Sequence, residues 1–471
     1  MSGVVIIGGG PGGYEAALVA KQLGAEVTVI DRDGLGGSAV LTDCVPSKTL
    51  IATAEVMTDM AAAGELGINF HDAHGDAATT IRVDLGTVNA RVKALAAAQS
   101  ADIEERLTRR GIRIVRGTGR LGDGAGRGGG EVVASLADGG EEAIHADAVL
   151  VATGAHPRVL PTAQPDGERI LTWEQVYDLT ETPTHMIVVG SGVTGAEFAS
   201  AYLALGIPVT LVSSRDRVLP GEDADAATVL EDVLERRGMR ILGQSRMLSV
   251  TREGDGEDAV TVTLTDGRTV TGSHCILALG SIPNTAGLGL EEAGVRLDDG
   301  GFVRVDRVSR TTAPGVYAAG DCTGGFMLAS TAAMAGRIAM RHFLGDAVQP
   351  MDLKQIASNV FTSPEIATVG WSEAAVEKGE VVADVVKLDL QGNPRAKMQG
   401  IHDGFVKLIA RPGSGVVIGG VVVGPRASEL IHPISLAVAA NLTVDQVANT
   451  FTVYPSLSGS VAEAARRLHQ V

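Results

Sequence analysis

The stretch VVIIGGGPGGYEAALVAKQLGAEVTVID, residues Val4–Asp31, decides the fold. Val4–Ile7 is wholly apolar and stops at three glycines. Tyr14–Leu23 sets alanine and leucine at helical spacing, and Val27–Ile30 is apolar again and ends at Asp31. Strand, tight turn, helix and strand make a βαβ unit, because two parallel strands need a crossover and the helix supplies it. Gly8-Gly9-Gly10-Pro11-Gly12-Gly13 fits the G-x-G-x-x-G pattern at the turn. Gly8 permits the turn, Gly10 lets a pyrophosphate approach the backbone, and Gly13 lets the helix pack closely on the strand. Pro11 lies in the same loop, and the helix N-terminus behind it offers N–H groups to phosphates. Asp31 sets a carboxylate where ribose hydroxyls donate to it.

The pattern returns in IVVGSGVTGAEFASAYLALGIPVTLVS, Ile187–Ser213. Gly190, Gly192, Gly195 and Ser213 stand to one another as Gly8, Gly10, Gly13 and Asp31 do, with Val193 after the second glycine. One chain thus holds two dinucleotide-binding units. The second has Ser213, Ser214, Arg215 and Arg217 where the first has its acid. A carboxylate there holds a 2′-hydroxyl and repels a 2′-phosphate. Its absence beside two guanidiniums admits the phosphate. NADPH is therefore the expected donor, with NADH left open as a second.

Working outward, Asp84–Arg110 reads as a long alanine-rich helix and Gly122–Gly130 as a hairpin tip. Ala148–Gly154, Cys275–Gly280 and Gly315–Asp321 are apolar strands ending in glycine or just past it. After about Pro350 the pattern becomes alternating strands with two late helices, a separate α+β segment. The expected architecture is α/β. It has two Rossmann-like dinucleotide domains, 1–155 with 281–349 and 156–280, followed by a C-terminal α+β domain over 350–471.

Composition narrows the partners. Among 471 residues, 39 basic side chains face 56 acidic ones, a net charge of -17. That balance argues against nucleic acid and anionic membrane surfaces. Aromatics at 3% argue against a stacking platform for single strands. Three cysteines, Cys44, Cys275 and Cys322, make no disulfide framework and fit a reducing cytoplasm. No apolar run of about 18 residues predicts a transmembrane segment. The opening MSGVVIIGGG has no basic leader region and runs directly into a strand. No cluster suggests a metal site.

These motifs, with the segments GGSAVLTDCVPSK, ATG at Ala152–Gly154, GVYAAGD and VFTSPEIATVG, occur in the order and spacing of one family. The chain resembles the flavoprotein disulfide reductases, to which dihydrolipoamide dehydrogenase and glutathione reductase belong. The resemblance covers nearly the whole chain. It implies FAD in the first unit, a nicotinamide cofactor in the second, and a C-terminal dimerisation domain that builds a homodimer, with tetramers left open. Asp31 matches the acid on the FAD ribose and Asp321 the aspartate on the ribityl chain. Met327-Leu328-Ala329 matches the stretch at the flavin pyrimidine edge. Arg32, Gly37, Gly119, Thr153 and Gly154 fall to the FAD site, and Gly280 to the cofactor-contact set. Lys48 matches the lysine beside flavin N5 and Glu197 the glutamate that pairs with it near the nicotinamide. A cation there offsets the negative charge of reduced flavin, and the acid fixes the cation.

Two departures from the family pattern point to function. The family carries two cysteines with four residues between them before the PSK segment; here the first is Ala39 and the second Cys44. Its C-terminal His-Pro pair and following Glu are replaced by Tyr454-Pro455 and Gly459. A tyrosine is a poor base near neutral pH, though it can donate a hydrogen bond. Dithiol, base and orienting acid are thus compromised while the flavin and nicotinamide residues remain. The pattern is similar to that of a mycobacterial quinone-reducing branch that lacks the redox disulfide. The expectation is an NAD(P)H:quinone oxidoreductase, with disulfide reductase activity absent. Cys44, at a helix N-terminus that favours thiolate, has three readings: flavin contact, sulfenic-acid cycling, or packing. Pyridine nucleotide transhydrogenase or diaphorase and a non-enzymatic flavin sensor are the competing functions.

Overall fold

The structure, a computed structural model, describes residues 2–69, 81–126, 128–254, 256 and 259–469. Residue 127, inside the glycine-rich stretch, lies outside them. The chain divides into two compact units. One comprises Met1–Ser47, Ala90–Arg158 and Gly280–Asp352; the other comprises Lys48–Asn89, Val159–Leu279 and Leu353–Val471.

The first unit is built on a seven-stranded sheet. Its order is Val316–Ala318, Ala148–Val151, Gly3–Ile7, Glu26–Asp31, Arg113–Leu121, Gly130–Leu136 and Glu141–Ala146. The first five strands run parallel; Gly130–Leu136 pairs antiparallel with Arg113–Leu121, and Glu141–Ala146 antiparallel with Gly130–Leu136. Val4 and Ile6 bury into one core with Ala16, Ala20 and Leu107, while Val5 and Ile7 bury into another with Val132 and Leu290. Burial on both faces explains why the strand reads as an unbroken apolar run. Helix Pro11–Gln22 lies against helix Ala329–Phe343 so closely that a Cβ on Gly336 would meet the Gly12 carbonyl oxygen at 2.0 Å.

The second unit holds a five-stranded parallel sheet in the order Arg240–Leu242, Val209–Val212, Met186–Val189, His274–Leu277, Ile170–Thr172. A three-stranded antiparallel meander, Met247–Arg252, Val260–Leu264 and Thr269–Gly272, accompanies it. The C-terminal part is a five-stranded antiparallel sheet ordered Ala357–Val360, Glu365–Gly370, Val417–Gly424, Phe405–Ala410, Asp384–Asp389. After it come four helices, Ala427–Leu430, His432–Ala439, Val444–Asn449 and Gly459–Leu468, where the sequence pattern suggested two. Ala427–Leu430 and Val444–Asn449 are too short to show a helical period. Inside this unit Lys407 is fully buried; its Nζ meets Asp223 at 2.8 Å and Asp225 at 2.9 Å, and it also contacts Glu373.

Candidate active site

The first glycine loop follows strand Gly3–Ile7. The Gly8 N–H donates to the Ile30 carbonyl at 2.8 Å. A Cβ on Gly8 would stand 2.2 Å from the Ala152 oxygen, and one on Gly13 only 1.9 Å from the Gly8 oxygen. Those two positions need glycine for the chain's own packing. Gly10 does not: its φ of -66° suits any residue, and the nearest atom to a Cβ there is Gly37 Cα at 4.0 Å. Gly10 also begins the helix with no side-chain cap. Gly37, with φ of 58°, would place a Cβ 2.8 Å from Gly10 Cα.

Asp31 is held rigid by this loop. Its Oδ2 accepts the Gly9 N–H at 2.7 Å, and its Oδ1 accepts the N–H groups of Gly34 at 2.6 Å and Asp33 at 3.1 Å. A cavity of about 420 Å³ is lined by Gly8, Asp31, Arg32, Gly119 and Thr153 among others. Arg32 is exposed and bridges Asp33 at 2.9 Å; that hydrogen bond raises its pKa. Thr153 Oγ1 donates to the Asn284 carbonyl at 2.7 Å, and Asn284 Nδ2 returns a bond to the Thr153 carbonyl at 2.8 Å. Asp321 stands just past strand Val316–Ala318; burial, with the Asp43 charge nearby, pushes its carboxyl up to about 6. Leu328 precedes helix Ala329–Phe343 in extended conformation. Gly154 and Gly280 have φ of 70° and 86°, and a Cβ on either would meet no atom within 4 Å.

The second loop repeats this geometry. The Gly190 N–H donates to Val212 at 2.9 Å. Cβ atoms on Gly190 and Gly195 would lie 2.1 Å from the Ala278 oxygen and 1.9 Å from the Gly190 oxygen. Gly192, with φ of -72°, would meet nothing within 4 Å. Val193 begins the helix Val193–Ala204 and is exposed. Ser213, grouped by sequence with ligand-contacting residues, is fully buried; its Oγ lies 2.6 Å from Ser191 Oγ and accepts the Arg215 N–H at 3.1 Å. Ser214 and Arg215 are exposed and Arg217 half-buried.

Lys48 on helix Cys44–Ala62 and Glu197 on helix Val193–Ala204 both belong to the second unit. Lys48 Nζ donates to Glu197 Oε2 at 2.7 Å, with side chains 31% and 5% exposed. The Glu197 Oε1 accepts the Phe361 N–H at 2.8 Å. Lys48 Nζ lies 4.9 Å from the centre of the Phe361 ring, a cation–π contact. Three groups therefore fix one another: a cation, a carboxylate and an aromatic ring. Phe361 was not singled out from sequence. It sits in the VFTSPEIATVG segment, and nothing in that segment marks its ring as a partner of Lys48.

Ala39 sits in helix Gly37–Leu41, and Cys44 opens the next helix. No disulfide joins any of the three cysteines. Cys275 and Cys322 are buried; burial pushes the Cys322 thiol up to about 11 and raises that of Cys275 too. Tyr454 is 82% exposed, beside exposed Val453 and Phe451. Among the described residues no group of His, Cys, Asp and Glu could hold a metal ion, and no helix is long and apolar enough to cross a membrane.

Two glycine loops with uncapped helix starts, and a lysine–glutamate pair whose carboxylate is buried, define a two-dinucleotide redox protein. The chain belongs to the pyridine nucleotide-disulphide oxidoreductase family: that family's profile matches residues 2–336, and the profile of its dimerisation domain matches residues 356–465. It is an NAD(P)H-dependent flavoprotein oxidoreductase. It is 56% identical over 469 residues to the NAD(P)H dehydrogenase (quinone) of Mycobacterium tuberculosis, covering 99% of this chain and 93% of the relative. Identity to the dihydrolipoyl dehydrogenase of Chlorobaculum tepidum is 34%, covering 98% and 96%. The crystal structure of LpdA from Mycobacterium tuberculosis matches with a TM-score of 0.94 at 55% identity over the full length of both chains. The flavoprotein disulfide reductase RclA of Escherichia coli, 23% identical with a TM-score of 0.84 and 99% of each chain covered, shares the fold.

Proposed function

We propose that this enzyme passes two electrons from NAD(P)H by way of FAD directly to a quinone-type acceptor, with no redox-active disulfide. The observation that carries the reading is Ala39 beside an intact Lys48–Glu197 pair. One sulfur in that segment cannot form an internal disulfide, while the residues that serve hydride transfer are kept. The relative named NAD(P)H dehydrogenase (quinone) supports the choice of acceptor. A quinone is planar, uncharged and takes a hydride plus a proton, which needs no thiol relay.

Bound FAD supplies the redox ring and NAD(P)H the hydride. Gly10 and Gly192 leave their loops open to the pyrophosphates, and the helix starts present N–H groups to them. Asp31 would accept from a ribose hydroxyl of the FAD, Asp321 from its ribityl chain, and Leu328 and Ala329 would border its pyrimidine edge. Arg32, Gly37, Gly119, Thr153 and Gly154 would complete the FAD set, and Ser214, Arg215 and Arg217 would receive a 2′-phosphate at the rim of the second loop. Lys48 supplies a cation that offsets the charge of the reduced ring, and Glu197 keeps it in place. Tyr454 and Cys44 stand outside any disulfide. The dimerisation domain and the exposed Phe451–Tyr454 stretch support a homodimer. Three thiols outside any disulfide suit a reducing cytoplasm.

Anaerobic titration of the FAD-loaded protein with NADPH, then with a naphthoquinone, tests the reading. The flavin should bleach with two electrons per flavin and regain its colour on adding quinone. Uptake of four electrons per flavin would reveal a second redox centre and refute the direct route.

A further inference from the structure

Strands Ala357–Val360 and Glu365–Gly370 pair antiparallel, with Val360 opposite Ile366, and the connection 361–364 joins them. Helix Val193–Ala204 takes hold of that connection through two side chains. Glu197 Oε1 accepts the Phe361 N–H at 2.8 Å, and Ser200 Oγ accepts the Ser363 N–H at 3.1 Å. Glu197 and Ser200 stand three residues apart on the helix, so they share a face, and both are buried. The Arg237 guanidinium donates to the Ser363 carbonyl at 3.1 Å, and the Thr362 hydroxyl donates to the Pro364 carbonyl at 2.7 Å. The connection is thus held at several points along its length.

Phe361 stands at its start. Lys48 Nζ lies 4.9 Å from the centre of the Phe361 ring and 2.7 Å from Glu197 Oε2. One residue therefore touches both members of the ion pair, with its backbone on the carboxylate and its ring on the cation. The kind of contact matters. A ring attracts an ammonium through its quadrupole and brings no charge to cancel it. A second carboxylate in that place would also hold the ammonium, but it would offset the positive charge that a reduced flavin needs.

We propose that Phe361 is a positioning residue for flavin reduction. Its ring keeps the Lys48 ammonium in place without neutralising it. Ser200 keeps Phe361 in place in turn, by clipping the connection to the helix that bears Glu197. The inference rests on the reading of Lys48 as the cation that offsets the charge of the reduced flavin.

The test uses the FAD-loaded full chain as wild type, Phe361→Leu, Phe361→Tyr, Ser200→Ala and Lys48→Met. Stopped flow gives the limiting rate of flavin bleaching and the half-saturating NADPH concentration. Equilibration against redox dyes gives the flavin midpoint potential, and tryptophan fluorescence the melting temperature. Phe361→Leu should slow the limiting rate about fivefold, leave half-saturation within about twofold, and move the potential to a more negative value. Phe361→Tyr, which keeps the ring, should recover most of the rate and the potential. Ser200→Ala, outside the ion pair, should shift both in the same direction as Phe361→Leu, the rate by about twofold. A residue that only packed the fold would lower the melting temperature and leave the potential where it is. If Phe361→Leu matches wild type in rate and potential while Lys48→Met loses both, or if Phe361→Tyr is as slow as Phe361→Leu, the positioning role is overturned and the reading of Lys48 stands. If Lys48→Met also matches wild type, the reading of Lys48 falls and the role of Phe361 with it. Should Phe361→Leu fail to fold, Ser200→Ala decides: an unchanged rate and potential overturn the proposal.

Discussion

Replacing Lys48 by Met, Glu197 by Gln, and both together forms a cycle on the pair proposed to serve hydride transfer. The magnitude follows from burial. Exposed ion pairs contribute below about 1 kcal/mol, whereas breaking a buried one by removing a single partner costs about 3–5 kcal/mol. Here the 2.7 Å contact has a carboxylate 5% exposed and an amine 31% exposed. Lys48→Met strands that carboxylate with only the Phe361 N–H, so an intermediate value of about 2 kcal/mol is expected. Glu197→Gln keeps the shape and the acceptor for Phe361 and loses the charge, about 1 kcal/mol. Where that lost charge stabilisation falls on the transition state for flavin reduction, about 1.4 kcal/mol per tenfold slows reduction roughly thirtyfold and fivefold in the single variants. Because the two residues act as a unit, the double variant should be no slower than Lys48→Met. The assay is anaerobic stopped-flow bleaching of the flavin by NADPH. If the two single losses multiply in the double variant, or Lys48→Met reduces flavin at the wild-type rate, the unit does not exist.

Other outcomes follow from the same geometry. Cys44→Ser should keep its FAD and turn over naphthoquinone within about threefold of wild type; loss of all turnover would restore a role for sulfur. In FAD-stripped protein, the Asp321 carboxyl is raised from 3.8 to about 6, so the folded chain keeps a proton that the unfolded chain releases in that window. Its contribution is therefore intact below about pH 4 and lost as pH rises through 6; Asp321→Asn should be the more stable form above pH 6, by about 3 kcal/mol in urea unfolding, and the gap should close in acid. Gly192→Ala, with open space around the new methyl, should fold and melt like wild type yet bind NADPH poorly in calorimetry. Gly195→Ala, with a carbonyl oxygen 1.9 Å away, should melt markedly lower; equal stability in both would defeat the packing argument.

The βαβ units were legible because their strands are buried on two faces. Val4–Ile7 and Met186–Val189 show continuous apolar runs, with glycines at positions where a Cβ would strike a carbonyl. Lys48 and Glu197 came from family resemblance; no local pattern announces that residues so far apart in sequence meet at 2.7 Å. The part played by Phe361 was invisible for a related reason. A backbone N–H and a ring face are properties of where a strand end lands, and any apolar residue would satisfy the strand pattern. Ser213 was recognised as the residue replacing an acid, but burial of its hydroxyl against Ser191 needs the loop in three dimensions. Helices Ala427–Leu430 and Val444–Asn449 escaped because neither is long enough to repeat an apolar face.

Duplication within one chain separates the positions that answer to the protein from those that answer to the ligand. Gly8 and Gly190, and likewise Gly13 and Gly195, lie against carbonyl oxygens of the chain itself, and they are the same in both copies. Gly10 and Gly192 are also the same, yet a Cβ on either would meet no atom of the chain closer than 4.0 Å. Gly9 with Asp31 and Ser191 with Ser213 differ, and they differ as pairs at the ribose end. Even there the change respects the backbone: the N–H of Asp33 and that of Arg215 each keep an oxygen acceptor at 3.1 Å, first from a carboxylate and then from a hydroxyl. A loop whose own hydrogen bonds survive the exchange of acid for alcohol keeps its fold while the charge at the strand end changes.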